Sequence, residues 1–160
     1  MAIKHSKTNA LRRLDTLKIP YKIFTYNIDD GKIDGISVCN KIKENPLTFF
    51  KTLVTASKKG EIYVFLIPIL EELDLKSASQ IVSEKSLQLV AVKELLSLTG
   101  YHRGGCSPIG MKKDYNIYID SSLENLSTII ICGGKIGIAI EILVSDFLKV
   151  TEAEVGTLTI

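Results

Sequence analysis

Two apolar, β-rich runs stand four residues apart in this chain, Thr48 to Ala56 and Glu61 to Pro68, with Ser57-Lys58-Lys59-Gly60 between them. Runs of that length suit strands, and a short polar joint ending in glycine suits a hairpin. The same logic predicts strands over Thr128–Cys132 and Gly137–Leu143, joined by Gly133-Gly134-Lys135-Ile136. Tyr21–Tyr26 alternates and is β-rich, and Tyr115–Ile119 is a further strand. Helices are fewer. Leu11, Leu14 and Leu17 recur at helical spacing over Thr8–Leu17, and Pro20 ends the run. Ile36–Ile42 is a short helix broken by Asn45-Pro46, and Ser77–Ile81, Val90–Leu98 and Val144–Val150 are helical stretches. Asn27–Gly35 and Gly100–Gly110 are loops. More strands than helices, with hairpin joints, predict an α/β (α+β) chain: a mixed or antiparallel sheet, open or closed into a barrel, with helices outside.

Length and composition narrow the class. The 160 residues fit one domain over 1–160, with no compositional break and no repeat. Hydrophobic residues at 46% and charged residues at 24% suit a globular protein and exclude wholesale disorder. Apolar stretches such as Ile129-Ile130-Ile131-Cys132 are far shorter than a bilayer span, so no membrane partner is expected. Met1 to Lys7 is polar and basic with no apolar segment behind it, which predicts a cytoplasmic protein without a secretory signal. A net charge of +2 does not by itself argue for nucleic acid. Cys39, Cys106 and Cys132 form no CxxC, and His5 and His102 do not stand at zinc-ligand spacing from them. Free thiols are expected, with no metal and no cofactor.

Few residues carry chemistry. The loop Gly100-Tyr101-His102-Arg103-Gly104-Gly105-Cys106-Ser107-Pro108-Ile109-Gly110-Met111-Lys112-Lys113 spaces Gly105 and Gly110 like the outer glycines of a nucleotide P-loop. Met111 then separates Gly110 from Lys112, and no Ser or Thr follows for magnesium, so that reading fails. GxGxxG is absent, so a dinucleotide fold has no support. Adjacent glycines let a ligand approach the backbone and be held by its N–H groups, with Arg103, Lys112 and Lys113 adding positive charge. They equally suit a tight turn with solvated cations, and both readings stay open. The same holds for Cys132-Gly133-Gly134-Lys135. Lys51 interrupts an apolar strand on the face it shares with Phe49 and Leu53, either reaching to water or placed for a ligand. No Ser–His–Asp set can be assembled, and nothing supplies a general base to Cys106. Asp29-Asp30 and Glu71-Glu72 belong to polar segments, and Glu141 is expected to face water.

Taken in order, Thr8-Asn9-Ala10, Thr25-Tyr26, Phe50-Lys51-Thr52-Leu53-Val54, Leu73-Asp74-Leu75-Lys76, the Gly100–Lys113 loop and Gly133-Gly134-Lys135 with Gly137 form a specific set. The chain resembles the YbaK/EbsC family of aminoacyl-tRNA deacylases, relatives of the editing domain inserted in bacterial prolyl-tRNA synthetases. The resemblance implies a six-stranded mixed β-barrel-like core ringed by helices, and a pocket for the 3′ end of a mischarged tRNA. Lys51 matches the family's essential lysine, and Gly104 and Gly105 match the loop whose backbone faces the aminoacyl group, which makes these three the catalytic candidates. Tyr26, Thr52, Cys132, Gly133, Gly134 and Ala139 fall at substrate-binding positions, and Arg103, Lys112, Lys113 and Lys135 at tRNA-binding ones. Cys132 stands where many members have Ser, and Ala139 where several have Asp. The implied activity is trans-editing of Cys-tRNA(Pro), with the substrate's thiol attacking its own ester and a transient complex with prolyl-tRNA synthetase. Alternatives are a deacylase for another mischarged tRNA such as Ala-tRNA(Pro), and a non-catalytic tRNA-binding module.

Overall fold

The computed structural model describes residues 7–160, so His5 and most of the basic start lie outside the described residues. In chain order the elements are α1 (Asn9–Thr16), β1 (Lys22–Thr25), α2 (Gly35–Ile42), β2 (Phe50–Ser57), β3 (Ile62–Pro68), α3 (Leu75–Ile81), β4 (Leu87–Leu89), α4 (Val92–Thr99), β5 (Asn116–Asp120), β6 (Thr128–Cys132), β7 (Ile138–Leu143), α5 (Val144–Thr151) and β8 (Glu154–Gly156). Short 3-10 turns precede β2 and follow β5.

The strands form two sheets, ordered β1-β7-β6 and β4-β2-β3-β5-β8. The first is antiparallel throughout. In the second, β4, β2 and β3 are antiparallel, and β3, β5 and β8 run parallel. A single parallel bridge, Phe49 to Ile130, joins the two. The α+β class is as read from the sequence, but the expected six-stranded mixed β-barrel-like core is corrected to two bridged sheets among the described residues. Closure needs a partner for every edge. On its side away from β3, strand β2 meets β6 only at Phe49 and β4 only from Thr55 to Ser57. Among the described residues, the outer edge of β1 and the far edge of β8 have no strand beside them.

Alternation along β2 explains where the core sits. Phe50 and Val54 turn into the main cluster, with Leu66, Ile119, Ile129, Ile131 and Ile140 and with Ala10, Leu11 and Leu14 of α1. On the opposite face, Phe49 joins a cluster under α2 with Val38, Ile69, Ile130 and Ala139, and Leu53 packs on a cluster under α3 with Phe65, Ile67 and Ala78. Lys51 stands at the seam between these two apolar patches.

Several boundaries differ from expectation for local reasons. Helix α1 ends at Thr16, which leaves Leu17 exposed and outside the leucine stripe. Helix α3 begins at Leu75 because the Asp74 carboxylate caps it, accepting from the Lys76 and Ser77 backbone N–H groups. Helix α4 begins only at Val92, because the Val90 N–H donates to Val54 C=O and keeps that residue on the β4 edge. Strands β4 and β8, three residues each, were not expected.

Candidate functional site

A cavity of about 730 Å³ opens where β2 parts from β6 and has not yet met β4. Its floor is Phe49, Lys51, Thr52 and Leu53 of the β2 segment. One wall is the connection from β1 into α2, through Tyr26, Gly31, Ile33, Asp34 and Ile36. The other is Arg103, Gly104 and Cys106 of the glycine loop, with Cys132 and Ala139 at the ends of β6 and β7.

The hairpin determines which backbone groups face this opening. Ile69 N–H donates to Phe49 C=O at 3.0 Å and Ser57 N–H to Glu61 C=O at 2.9 Å. Odd-numbered residues of the strand therefore direct their amides toward β3, and even-numbered ones away from it. Val54 C=O, on the away side, accepts from Val90 N–H at 3.0 Å. Thr52 lies on that same side, between Val54 and the Phe49 bridge, where no strand reaches it. Its Oγ1 is buried, with no hydrogen-bond partner among the described residues.

The glycine loop is stapled in place. The Tyr101 hydroxyl donates to Ile109 C=O at 2.6 Å, and the Tyr115 hydroxyl to Leu98 C=O at 2.7 Å. Residues 105–109 are buried. Gly104, at φ +88°, adopts a backbone that side chains disfavour, and it faces the cavity. Gly105 permits a close approach instead: a Cβ there would lie 2.9 Å from the Lys135 Cα and the Ile136 nitrogen. The two glycine loops thus pack backbone on backbone. The Gly105 N–H donates to His102 C=O at 3.0 Å, whereas the Gly104 and Cys106 N–H groups have no partner among the described residues.

The thiols are quiet. Burial pushes Cys106 up to about 11 and Cys132 up to about 12, so neither is a thiolate nucleophile at neutral pH. Cys132 donates a long S–H bond to Gly104 C=O at 3.7 Å. Burial also raises the Tyr26 phenol. Asp34 is the one carboxylate of the lining; its oxygens accept from the Ser37 hydroxyl and N–H, and these bonds hold its pKa below the usual carboxylate range. Lys51 and Arg103 form no ion pair among the described residues. The arrangement can grip an anion and offer N–H donors to a polarised carbonyl, and among the described residues no nucleophile–base pair lines it.

Of the residues singled out from the sequence, Tyr26, Lys51, Thr52, Arg103, Gly104, Cys132 and Ala139 meet in this cavity. Gly105, Gly133 and Gly134 stand behind the lining: Gly133 packs on Ile138, and Gly134 on Thr8 and Tyr101. Lys112 and Lys135 are exposed and do not line it. Lys113 lines a second cavity, of about 520 Å³, with Arg13, Asp114 and Glu152. Asp29, Asp30, Glu71 and Glu72 are exposed, as expected. Glu141 is half-buried and accepts from the Thr128 hydroxyl. Sequence reasoning missed Ile33 and Asp34, which sat in a segment read only as a polar loop. The Asp34-Gly35-Ile36-Ser37 pattern, a cap ahead of a helix, was the available signal.

A family model described as an aminoacyl-tRNA editing domain matches residues 36–150. An Enterococcus faecalis protein with the provisional name Cys-tRNA(Pro)/Cys-tRNA(Cys) deacylase EbsC is 36% identical over 153 residues, which cover 96% of this chain and 93% of its own. A crystal structure provisionally described as a trans-editing enzyme for prolyl tRNA synthetase matches with a TM-score of 0.84 and 24% identity, over 98% of this chain and 99% of its own. The hypothetical protein APE2540 matches with a TM-score of 0.86 and 17% identity, over 95% of this chain and 99% of its own. At these identities the two solved structures speak for the fold.

Proposed function

The chain belongs to the aminoacyl-tRNA editing-domain family, and on that footing we propose that it is a trans-acting aminoacyl-tRNA deacylase, a single cytoplasmic editing unit that clears cysteine from Cys-tRNA(Pro). The observation that carries this reading is the shared cavity of Lys51, Thr52, Gly104 and Cys132. Its volume of about 730 Å³ lies in the range of small-ligand sites and suits an aminoacylated terminal adenosine.

In this reading the Lys51 ammonium holds the phosphate of the tRNA end as a compact point charge. The unpaired edge of Thr52 orients the terminal nucleotide, and Tyr26, Cys132 and Ala139 shape the acyl end. The substrate's thiol sulfur attacks its own ester carbonyl carbon. The carbon–oxygen bond to the ribose breaks, the thiol proton ends on the ribose oxygen, and a cyclic thioester leaves. The free N–H groups of Gly104 and Cys106 serve the developing oxyanion, an interaction typically worth ~3 kcal/mol per donor. Gly105, with its own N–H engaged, holds the loop in register. Orientation supplies the rest, since well-placed intramolecular groups reach effective molarities of order 10⁵ M and above. Arg103 would meet a tRNA phosphate from the cavity lining, Lys112, Lys113 and Lys135 would meet phosphates outside it, and a transient complex with prolyl-tRNA synthetase would deliver the substrate.

The test is a panel of tRNA(Pro) carrying cysteine, serine or alanine, with the wild type and Lys51→Ala. Rapid loss of cysteine, slow loss of serine and alanine, and a fall of at least about a hundredfold in the variant are expected. Alanine released as fast as cysteine would refute the thiol route, and equal rates for the two proteins would refute the role of Lys51. Pull-down with prolyl-tRNA synthetase and tRNA(Pro) checks the delivery complex.

A further inference from the structure

The connection from β1 to α2, residues 27–35, is a strap across one side of the cavity, and one side chain ties it down. Lys41, in the last turn of α2, donates from Nζ to Asn27 C=O at 2.7 Å, to Asp30 Oδ1 at 2.8 Å and to Lys32 C=O at 2.8 Å. An ammonium has three N–H donors, and three acceptors use all of them. The side chain is only 20% exposed, unlike a solvated surface lysine. Its platform is fixed, because Val38 and Cys39 of the same helix are buried in the core. Both ends of the strap are also anchored: Tyr26 N–H donates to Gly137 C=O, and Asp34 accepts from Ser37. What the strap presents inward is Ile33, whose Cδ1 would lie 2.9 Å from a Cβ built on Gly104.

We propose that Lys41 is a positioning residue for the pocket: its amine ties the strap to α2 and so seats Ile33 against Gly104, closing the wall that sizes the aminoacyl group. The proposal rests on the deacylase reading above and deepens it to specificity. With the tie cut, only part of the population keeps the wall seated. The apparent affinity for the substrate falls by that fraction, while a bulkier acyl group gains entry. The bond-making atoms are untouched, so the chemical step changes little. Arginine is a poor replacement, because its donors lie in one plane and cannot meet three acceptors gathered around a point.

The experiment compares the wild-type full chain with Lys41→Met, Lys41→Arg and Ile33→Ala on tRNA(Pro) acylated with cysteine or with penicillamine, which keeps the thiol and adds two methyl groups. Amide exchange over residues 27–35 is followed in the same proteins. Lys41→Met should speed strap exchange, raise KM for the cysteinyl substrate about tenfold with kcat within about twofold, and narrow the preference for cysteine over penicillamine. Lys41→Arg should fall between it and the wild type. Ile33→Ala should narrow the preference while strap exchange stays slow, and this arm stands even if Lys41→Met fails to fold. Unchanged strap exchange in a folded Lys41→Met protein would overturn the tie. Faster exchange with unchanged KM and preference, or an unchanged preference in Ile33→Ala, would overturn the wall. A wild type inert on every aminoacyl-tRNA would instead sink the deacylase reading, and with it the pocket role of the strap, while exchange still decides the tie.

Discussion

The glycine loop between α4 and β5 borders two cavities that differ in how charge is arranged. The one over β2 has Lys51 and Arg103 in its lining and a single carboxylate, Asp34, already engaged by Ser37. The one on the other side of the loop sets Arg13 and Lys113 beside Asp114 and Glu152. A phosphate-bearing chain end is drawn to a site where cations outnumber carboxylates. In the first cavity two cations, Lys51 and Arg103, face one carboxylate, Asp34, whereas in the second two cations face two carboxylates. Proximity in sequence to a glycine motif is therefore a poor guide to which cations share a site. Buried Ser107, Pro108 and Ile109 carry the chain across, and Lys113 emerges in the other cavity.

The sharpest way to break this contrast is to remove one cation from each side. Lys51→Ala should lower kcat/KM for Cys-tRNA(Pro) at least a hundredfold, about 2.7 kcal/mol in transition-state stabilisation, and Lys113→Ala less than about threefold. Comparable losses would erase the distinction. Next in size is Gly105→Ala, whose Cβ meets the backbone of Lys135 and Ile136 rather than a side chain that can yield. We expect about 1–3 kcal/mol of destabilisation in urea unfolding, with Gly104 displaced and activity reduced.

A third test uses the two thiols that line the first cavity, Cys106 and Cys132. Cys106 and Cys132 have folded values of about 11 and 12, raised by burial from an ordinary 9.0. The folded state favours the protonated thiol, so the stability it lends is whole below about pH 9. It declines above that, as the unfolded chain ionises first, by about 1 kcal/mol per pH unit for each thiol. Urea midpoints at pH 7, 9 and 10 should fall along this limb, and Cys132→Ser should flatten it. The smallest effect is expected for Thr52→Val. Removing a buried hydroxyl without a partner should raise stability by roughly 1 kcal/mol while slowing deacylation several-fold. A gain in both would mean that the hydroxyl has no part in binding.

The sequence made the local elements and the lone lysine legible, and left the assembly obscure. Leu11 and Leu14 marked α1, and the runs around Ser57–Gly60 marked the β2–β3 hairpin, because periodicity and turn chemistry are local signals. Strands β4 and β8 escaped because three residues carry no period, and their pairing comes from β2 and β5 rather than from themselves. Lys51 stood out as a cation in an apolar strand, and it does line the cavity. Lys41 did not stand out, since a lysine late in a short helix is ordinary until the acceptors from residues 27, 30 and 32 gather around it. The glycines were visible, but whether each one faces a ligand or another backbone depends on contacts far away in the chain. The barrel remained open because closure is a property of edges, which no single stretch encodes.

One hydroxyl near the amino end has a reach out of proportion to its size. Thr8 Oγ1 accepts from Leu11 N–H to start α1, and it donates to Gly133 C=O at 2.6 Å. A worker who trims the chain past that threonine, or splices a fusion partner hard against it, therefore tampers with the second glycine turn, 125 positions downstream. The same cut removes the cap of α1, typically worth about 1 kcal/mol, so thermal stability and turnover would both register it.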